Sequence, residues 1–209
     1  MNQKIIDAMA DLNDDELMEE VQAAVDAGTA PAEIIASLQR GLDIVGERFA
    51  SKEYFLSELM LSAELFNEAT ALFGAEEAED SSRKIGTFVI GTVETDIHDI
   101  GKNIVASVMK SNGFQVVDLG VDVPAQKFLD AIREHQPQVV GLSCLLTTCF
   151  GHMKKTIEEI RGAGLDQGRL ILIGGGPVDD KTVEYVHADA RCETAQDTVI
   201  RSKKFLGVI

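Results

Sequence analysis

The amino-acid sequence predicts two domains of different class, a helical bundle at residues 1–82 and a doubly wound α/β domain at residues 83–209. In the first half, apolar side chains recur at helical spacing, and Pro31 suits a first helical turn after the break at residues 28–30. A polar, charged segment at residues 74–83 is typical of a linker. After it, short β-rich runs alternate with helical stretches, which indicates a parallel sheet with right-handed crossovers.

Each predicted element rests on its own apolar pattern. Strands are expected at Gly86–Val93, Phe114–Leu119, Val139–Ser143, Leu170–Ile173 and Ala188–Cys192. Helices are expected between and after them, at residues 101–112, 125–134, 151–163, 178–187 and 195–205. In the N-terminal half, the apolar faces that would form the bundle core are Leu17/Val21/Ala24/Val25, Ile35/Leu38/Leu42/Val45/Phe49 and Leu56/Leu59/Ala63/Phe66. The near-continuous apolar strands fit a sheet covered on both faces.

Composition excludes several classes of function. A net charge of −16 disfavours binding to nucleic acid or to an anionic membrane surface, because few cations are available to neutralise phosphates. No apolar run is long enough to span a membrane, and the N-terminus does not resemble a signal peptide. The three cysteines have no Cys-x-x-Cys spacing, which indicates reduced thiols and no zinc site. We therefore expect a cytoplasmic protein.

The segment Asp96–Gly101 follows the first predicted strand directly, at a junction where α/β proteins bind ligands. It places a histidine, His98, two residues after a carboxylate and three before a glycine. This pattern suits a metal ligand whose second ring nitrogen is held by Asp96. It equally suits a helix N-cap at Asp96 or Asp99, with His98 as a solvated loop residue. The hexapeptide alone leaves both interpretations open.

Small residues follow the later strands. Ser143–Cys149 comes after the third strand and Gly174–Pro177 after the fourth. The triple glycine lacks the Lys-Ser/Thr of a phosphate-binding loop, so a phosphate site is disfavoured. Small residues at several strand ends favour a bulky cofactor whose tail enters between the loops, because backbone must approach it closely.

Asp-x-His-x-x-Gly, Ser-x-Leu and Gly-Gly, in that order, resemble the cobalamin-binding corrinoid proteins of methyltransferase systems and the cobalamin module of methionine synthase. The resemblance spans nearly the whole chain. It implies that His98 is the lower axial ligand of cobalt, that Asp96 hydrogen-bonds His98, and that Gly101 lets the cofactor's nucleotide tail pass. It also implies a helical cap in which Phe49 and Leu56 cover the cobalt-bound methyl group, although both also fit an ordinary bundle core. The complete set of implied cofactor-binding residues is Asp96, His98, Asp99, Ile100, Gly101, Ser143, Leu145, Thr147, Cys149, Gly174, Gly175, Phe49 and Leu56.

The function that the resemblance implies is a methyl carrier that is not catalytic alone. A substrate:corrinoid methyltransferase would load the cobalt of cobalamin or a related corrinoid, and a second methyltransferase, with coenzyme M or tetrahydrofolate as acceptor, would unload it. His98 would leave the cobalt during turnover, because Co(I) does not accept an axial base. A reductive activase is a further implied partner. The alternatives are a cobalamin-dependent sensor, the small subunit of a mutase, and a cofactor-free interaction domain.

Two positions depart from the family pattern. Thr95 stands where the family commonly has glycine, so the loop could sit differently. Cys149 aligns with a serine or threonine whose hydroxyl lies behind the aspartate and completes a His–Asp–hydroxyl relay. Because a thiol is a weak donor, the relay is either weaker here or completed by Thr147 or Thr148.

Overall fold

The computed structural model describes residues 1–73 and 84–208 and divides into two units, one of helices and one built on a parallel sheet. The predicted linker at residues 74–83 lies outside the described residues. The fold class predicted from the sequence is confirmed. No helix within the two described ranges is long and apolar enough to cross a membrane.

The N-terminal unit contains α1 (Gln3–Ala10), α2 (Asp14–Asp26), α3 (Pro31–Ala50) and α4 (Leu56–Ala71). Residues at the first turns of α1 and α3 favour helix initiation. The Asn2 side chain accepts a hydrogen bond from the Lys4 amide, and Pro31 is at the first position of α3. Their apolar faces form one core. Its buried members include Ile5, Met9, Leu17, Val21, Ile34, Leu38, Leu42, Leu65 and Ala69.

A glycine in the middle of α3 permits close packing on α1. A Cβ atom at Gly41 would lie 2.5 Å from Met9 Cβ and 3.0 Å from the Ile6 carbonyl oxygen. Glycine lowers the stability of a helix interior, so its presence here is explained by this approach.

The second unit is a sheet with helices between its strands. Its elements are β1 (Gly86–Thr92), α5 (Ile100–Ser111), β2 (Phe114–Asp118), α6 (Ala125–His135), β3 (Val139–Ser143), α7 (Phe150–Gly162), β4 (Leu170–Gly174), α8 (Asp180–Val186), β5 (Ala190–Cys192) and α9 (Ala195–Phe205). A short 3₁₀ turn at Thr147–Cys149 precedes α7. The strands pair in parallel in the order β2-β1-β3-β4-β5. The core under the sheet includes Val89, Phe128, Ile132, Val140, Met153, Ile157 and Ile171.

This strand order positions the site. β1 lies between β2 and β3. The connection from β1 therefore leads to one side of the sheet, to β2, whereas the connection from β3 leads to the other side, to β4. Thr92, at the end of β1, is in register with Ser143, at the end of β3. The connections that leave these two strands diverge, and the crevice between them is where open α/β sheets bind ligands.

Replacement of Gly41 by Ala should destabilise the helical unit by about 1–3 kcal/mol, because the new methyl group overlaps Met9 in a packed core. Urea unfolding followed by circular dichroism measures this change. Gly162→Ala is the control, since a Cβ there meets no atom within 4 Å and should leave stability unchanged or slightly higher. Equal stability of the two variants would contradict the packing role of Gly41.

Candidate functional site

The segment between β1 and α5 carries the predicted histidine and its carboxylate. Asp96 is fully buried, whereas 48% of the His98 side chain is exposed. His98 Nδ1 lies 2.6 Å from Asp96 Oδ1, and the His98 backbone amide donates to the same oxygen at 3.0 Å. The sequence-predicted pair is therefore formed in the structure.

The second oxygen of Asp96 is held by the loop that follows β3. The backbone amides of Leu145 and Leu146 donate to Asp96 Oδ2 at 2.6 and 3.1 Å. Burial raises the pKa of the Asp96 carboxyl, but the hydrogen bonds from His98, Leu145 and Leu146 outweigh burial and lower the pKa to about 2. Asp96 is therefore a carboxylate at neutral pH and can only accept hydrogen bonds.

This charge state determines which ring nitrogen of His98 can bind a metal. Because Asp96 only accepts, the short contact requires that Nδ1 carry a hydrogen and donate it. In a neutral imidazole the lone pair then lies on Nε2, the nitrogen turned away from Asp96. A histidine held in this way by a carboxylate is the usual arrangement of a metal-ligating imidazole.

Cys149 lies close to Asp96, as the family pattern implies, but it is not among the hydrogen-bond donors described for the carboxylate. Cys149 Sγ lies 3.2 Å from Thr95 Oγ1, and among the described contacts of Asp96 its donors are the imidazole and backbone amides. Thr147 and Thr148 are both exposed. The oxygen of Asp96 that does not contact His98 is thus held by two backbone amides.

Thr95, the other departure from the family pattern, adopts a left-handed conformation with φ of 72°. Glycine reaches this region without steric cost, which explains physically why glycine suits the position. Here the threonine is held by its amide, which donates to Asp122 Oδ1 at 2.7 Å, and by the contact of its hydroxyl with Cys149.

Two thiols lie behind the carboxylate. Ligand atoms of Asp96, Cys144 and Cys149 lie within 4.8 Å of one another, and all three residues are buried. Burial first, and then the charge of Asp96, raises the pKa of the Cys144 thiol to about 12. Asp96 already accepts four hydrogen bonds, two of them from His98, so its carboxylate is engaged with the imidazole and with the loop after β3.

The glycines of the predicted site differ in what the protein itself requires of them. Gly175 has φ of 136°, and a Cβ there would lie 1.9 Å from the Cys144 carbonyl oxygen, so the fold alone demands glycine. A Cβ at Gly101 would meet no atom within 4 Å, and at Gly174 the nearest atom, the Cys192 carbonyl oxygen, is 3.5 Å away. The protein's own packing would therefore accept a side chain at Gly101 and Gly174. A ligand that passes close to the backbone would explain why glycine is present at these two positions.

Exposed apolar side chains occur on the loops after β1, β2 and β3. They are Ile97 and Ile100 beside His98, Val121 after β2, and Leu145 and Leu146 after β3. Asp99 is exposed, and Ser143 is half-buried at the end of its strand. Ile97, Val121 and Leu146 were not predicted from the sequence, although apolar residues between polar ones at strand ends could have indicated them. A cluster of this kind suits a large ligand with an apolar face.

The two proposed cap residues, Phe49 and Leu56, lie in helices α3 and α4 of the N-terminal unit. Leu56 is the first residue of α4 and 47% exposed, and its neighbour Phe55 is 68% exposed. Phe49, near the end of α3, is half-buried. Leu56 is therefore not a member of the bundle core, which was the alternative explanation for its position in the apolar pattern.

Comparison with known proteins shows the family. Residues 86–201 match the B12 binding domain, and residues 1–73 match a second domain type of the same description. A trimethylamine corrinoid protein from Methanosarcina barkeri is 39% identical over 93% of this chain and 92% of its own length. The chain belongs to the B12-binding corrinoid proteins.

Solved structures of corrinoid proteins share the architecture described above. A cobalamin-binding protein from Desulfitobacterium hafniense DCB-2 superposes with a TM-score of 0.82 at 34% identity, over 96% of both chains. A chain of the methanol:cobalamin methyltransferase complex from Methanosarcina barkeri superposes with a TM-score of 0.83 at 29% identity, over 99% of this chain and 79% of that one.

Substitution of Gly175 by Ala should destabilise this corrinoid protein even without cofactor, by about 3 kcal/mol or more, because the methyl group would overlap the Cys144 carbonyl in a left-handed backbone. Thermal unfolding of the apoprotein measures the loss. Gly174→Ala is the matched control, with its nearest contact at an ordinary 3.5 Å. If both variants lost cofactor binding but neither lost apoprotein stability, the glycine at 175 would serve the ligand alone.

Proposed function

We propose that this protein carries a methyl group on the cobalt of a bound corrinoid, with His98 as the lower axial ligand. The observation that carries the proposal is the half-exposed imidazole whose Nδ1 is fixed by a buried, ionised carboxylate. The bound cobalt supplies the chemistry, since it accepts the methyl group from one partner and delivers it to another. The residues of the chain supply ligation, orientation and access.

Asp96 holds the imidazole in both states of ligation. If His98 Nε2 held the metal, the carboxylate would fix the tautomer and the orientation of the ring and would make Nε2 a stronger donor to the metal. If His98 left the metal, Asp96 would still orient the ring through its contact with Nδ1. Asp96 itself does not need to change its protonation state.

The loops around His98 would bind the remainder of the cofactor. Ile97, Ile100 and Leu145 are exposed apolar side chains suited to contact the corrin ring. Gly101 and Gly174, where the protein leaves room, would border the path of the nucleotide tail, with Ser143 at the end of β3 between them in the sequence. Thr147 and Asp99, both exposed on the same loops, are further candidates for polar contacts with the cofactor.

The partners would be enzymes that reach the upper face of the corrin. A methyltransferase specific for the donor substrate would load the carrier, a second methyltransferase with coenzyme M or tetrahydrofolate as acceptor would unload it, and a reductive activase would restore oxidised cobalt. Phe49 and Leu56 are the residues of the helical unit proposed to cover the methyl group between these encounters. The acidic surface would favour partners with basic docking sites.

The ligand assignment predicts a spectroscopic change. His98→Ala should shift the visible absorption spectrum of bound cob(III)alamin away from that of imidazole ligation, because the only proposed nitrogen ligand is removed. His152→Ala is the matched control: this histidine is also partly exposed and also paired with a carboxylate, Glu94, at 3.0 Å. An identical spectrum for wild type and His98→Ala would contradict the assignment of His98 as the axial ligand.

The carrier function is tested by methyl transfer. Trimethylamine, dimethylamine and methanol are the donors to assay, each with its methyltransferase, because relatives of this chain bear these names. Asp96→Asn should slow transfer by about 10–100-fold, since the imidazole loses the carboxylate that orients it. Glu94→Gln, which alters the equivalent partner of His152, should leave the rate unchanged. Tight cobalamin binding without transfer from any donor would favour a cobalamin-dependent sensor instead.

A further inference from the structure

The chain between β1 and α5 has no regular secondary structure where it carries Asp96 and His98, so other contacts must fix its path. The loop after β2 supplies some of them. Val93 forms a parallel bridge with Val123, the Thr92 amide donates to the Gly120 carbonyl at 3.0 Å, and the Val123 amide donates to the Thr92 carbonyl at 3.0 Å. Residues 120–123 thus extend the sheet pairing past the end of β1.

Asp122 binds the histidine loop at two atoms. Its Oδ1 accepts from the Thr95 amide at 2.7 Å, and its own amide donates to the Asp96 carbonyl at 2.9 Å. Asp122 has φ of 51° and Thr95 has φ of 72°, so both residues are left-handed. Aspartate is among the few residues that adopt this conformation readily, because its short polar side chain bonds nearby backbone. The main chain just before Asp96 is therefore held from the neighbouring loop.

Thr92 binds the same loop on the other side of Asp96. Its hydroxyl donates to the His98 carbonyl oxygen at 2.9 Å, and Thr92 is fully buried at the end of β1. The two contacts fix the backbone at Asp96 and at His98, with only Ile97 between them. The carboxylate and the imidazole are thus held at a set separation by residues that do not touch the imidazole.

We propose that Thr92 and Asp122 are positioning residues for axial ligation: they hold the backbone of the histidine loop so that His98 returns to the metal after each release. This inference rests on the proposed function, in which His98 binds and leaves cobalt. A loop already held in the ligating geometry loses little entropy when the metal–nitrogen bond forms again. Without either contact the imidazole would sample other positions, and the ratio of ligated to free His98 would fall.

The two contacts should differ in strength. Thr92 is fully buried and its contact with the His98 carbonyl is partly buried, so water replaces this donor less readily than it replaces an exposed one. Asp122 and Thr95 are both exposed, so water can replace their side-chain contact in part. Loss of the Thr92 hydroxyl should therefore weaken ligation more than loss of the Asp122 carboxylate.

Four substitutions separate these contacts from general damage to the fold. Thr92→Val keeps the shape of the side chain and removes the donor, whereas Thr92→Ser keeps the hydroxyl. Asp122→Gly keeps the left-handed backbone and removes the acceptor, whereas Asp122→Asn keeps an acceptor oxygen. Each variant is loaded with cobalamin, and hydrogen–deuterium exchange of residues 93–99 is also measured in the apoprotein.

The decisive measurement is the Co(II)/Co(I) midpoint potential of the loaded protein. If His98 bound Co(II) but not Co(I), each tenfold loss in the ligation ratio would raise the potential by about 59 mV for this one-electron couple. Loss of one hydrogen bond should weaken ligation about three- to tenfold, so Thr92→Val should raise the potential by about 30–60 mV. Asp122→Gly should raise it by less, and the Ser and Asn variants should stay near wild type. Exchange at residues 93–99 should be faster in the Val and Gly variants.

The possible outcomes distinguish the positioning role of Thr92 and Asp122 from the axial ligation by His98. If Thr92→Val and Asp122→Gly lower the melting temperature but leave the potential at the wild-type value, the positioning role is overturned and these residues only stabilise the fold. If His98→Ala, measured in parallel, also leaves the potential unchanged, the axial ligation in the proposed function fails. A rise in the Val and Gly variants, restored in Ser and Asn, supports the proposal.

Discussion

The carboxylate of Asp96 accepts hydrogen bonds from two loops that leave neighbouring strands, and the geometry of the site depends on it. Two of its donors belong to His98, on the loop after β1, and two are the amides of Leu145 and Leu146, on the loop after β3. An isolated buried charge would be strongly unfavourable. With four donors it remains ionised. It joins the loop that carries the imidazole to the loop after β3, so the imidazole is held from both sides of the crevice. The Asp96 side chain thus makes the tautomer of His98 depend on the path of both loops and on the register of β1 and β3.

Much of this arrangement could be predicted from the sequence because it is encoded locally. The strands were predicted from apolar runs, and the order of strand and helix limits an all-parallel sheet to few topologies. Asp96 and His98 are two residues apart, so their pairing needed no knowledge of tertiary structure. The location of His98 beside a crevice followed from the rule that ligands bind at the carboxyl ends of parallel strands.

What could not be predicted depends on contacts distant in sequence. The amides of Leu145 and Leu146 reach Asp96 only because β1 and β3 are adjacent and in the observed register, and an amide has no sequence signature. The family resemblance instead implied a side-chain partner at Cys149, Thr147 or Thr148. The helical spacing of Leu56 suggested a core position, yet Leu56 is the first residue of α4 and is 47% exposed, because the pattern alone does not show where the packed part of a helix begins. The contacts of Asp122 with the histidine loop have no sequence motif, because they depend on a left-handed backbone and on the pairing of β1 with β2.

The burial of Cys144 affects whether the protein can methylate its own cysteine. Thiolates are strong nucleophiles, and a protein that handles an electrophilic methyl group would be at risk of alkylating its own cysteines. Cys144 is fully buried, and burial together with the adjacent charge of Asp96 keeps its thiol protonated at physiological pH. The same carboxylate that orients one nitrogen for metal binding thus disfavours the thiolate form of a neighbouring sulfur, which lowers the tendency of Cys144 to be alkylated by the methyl group.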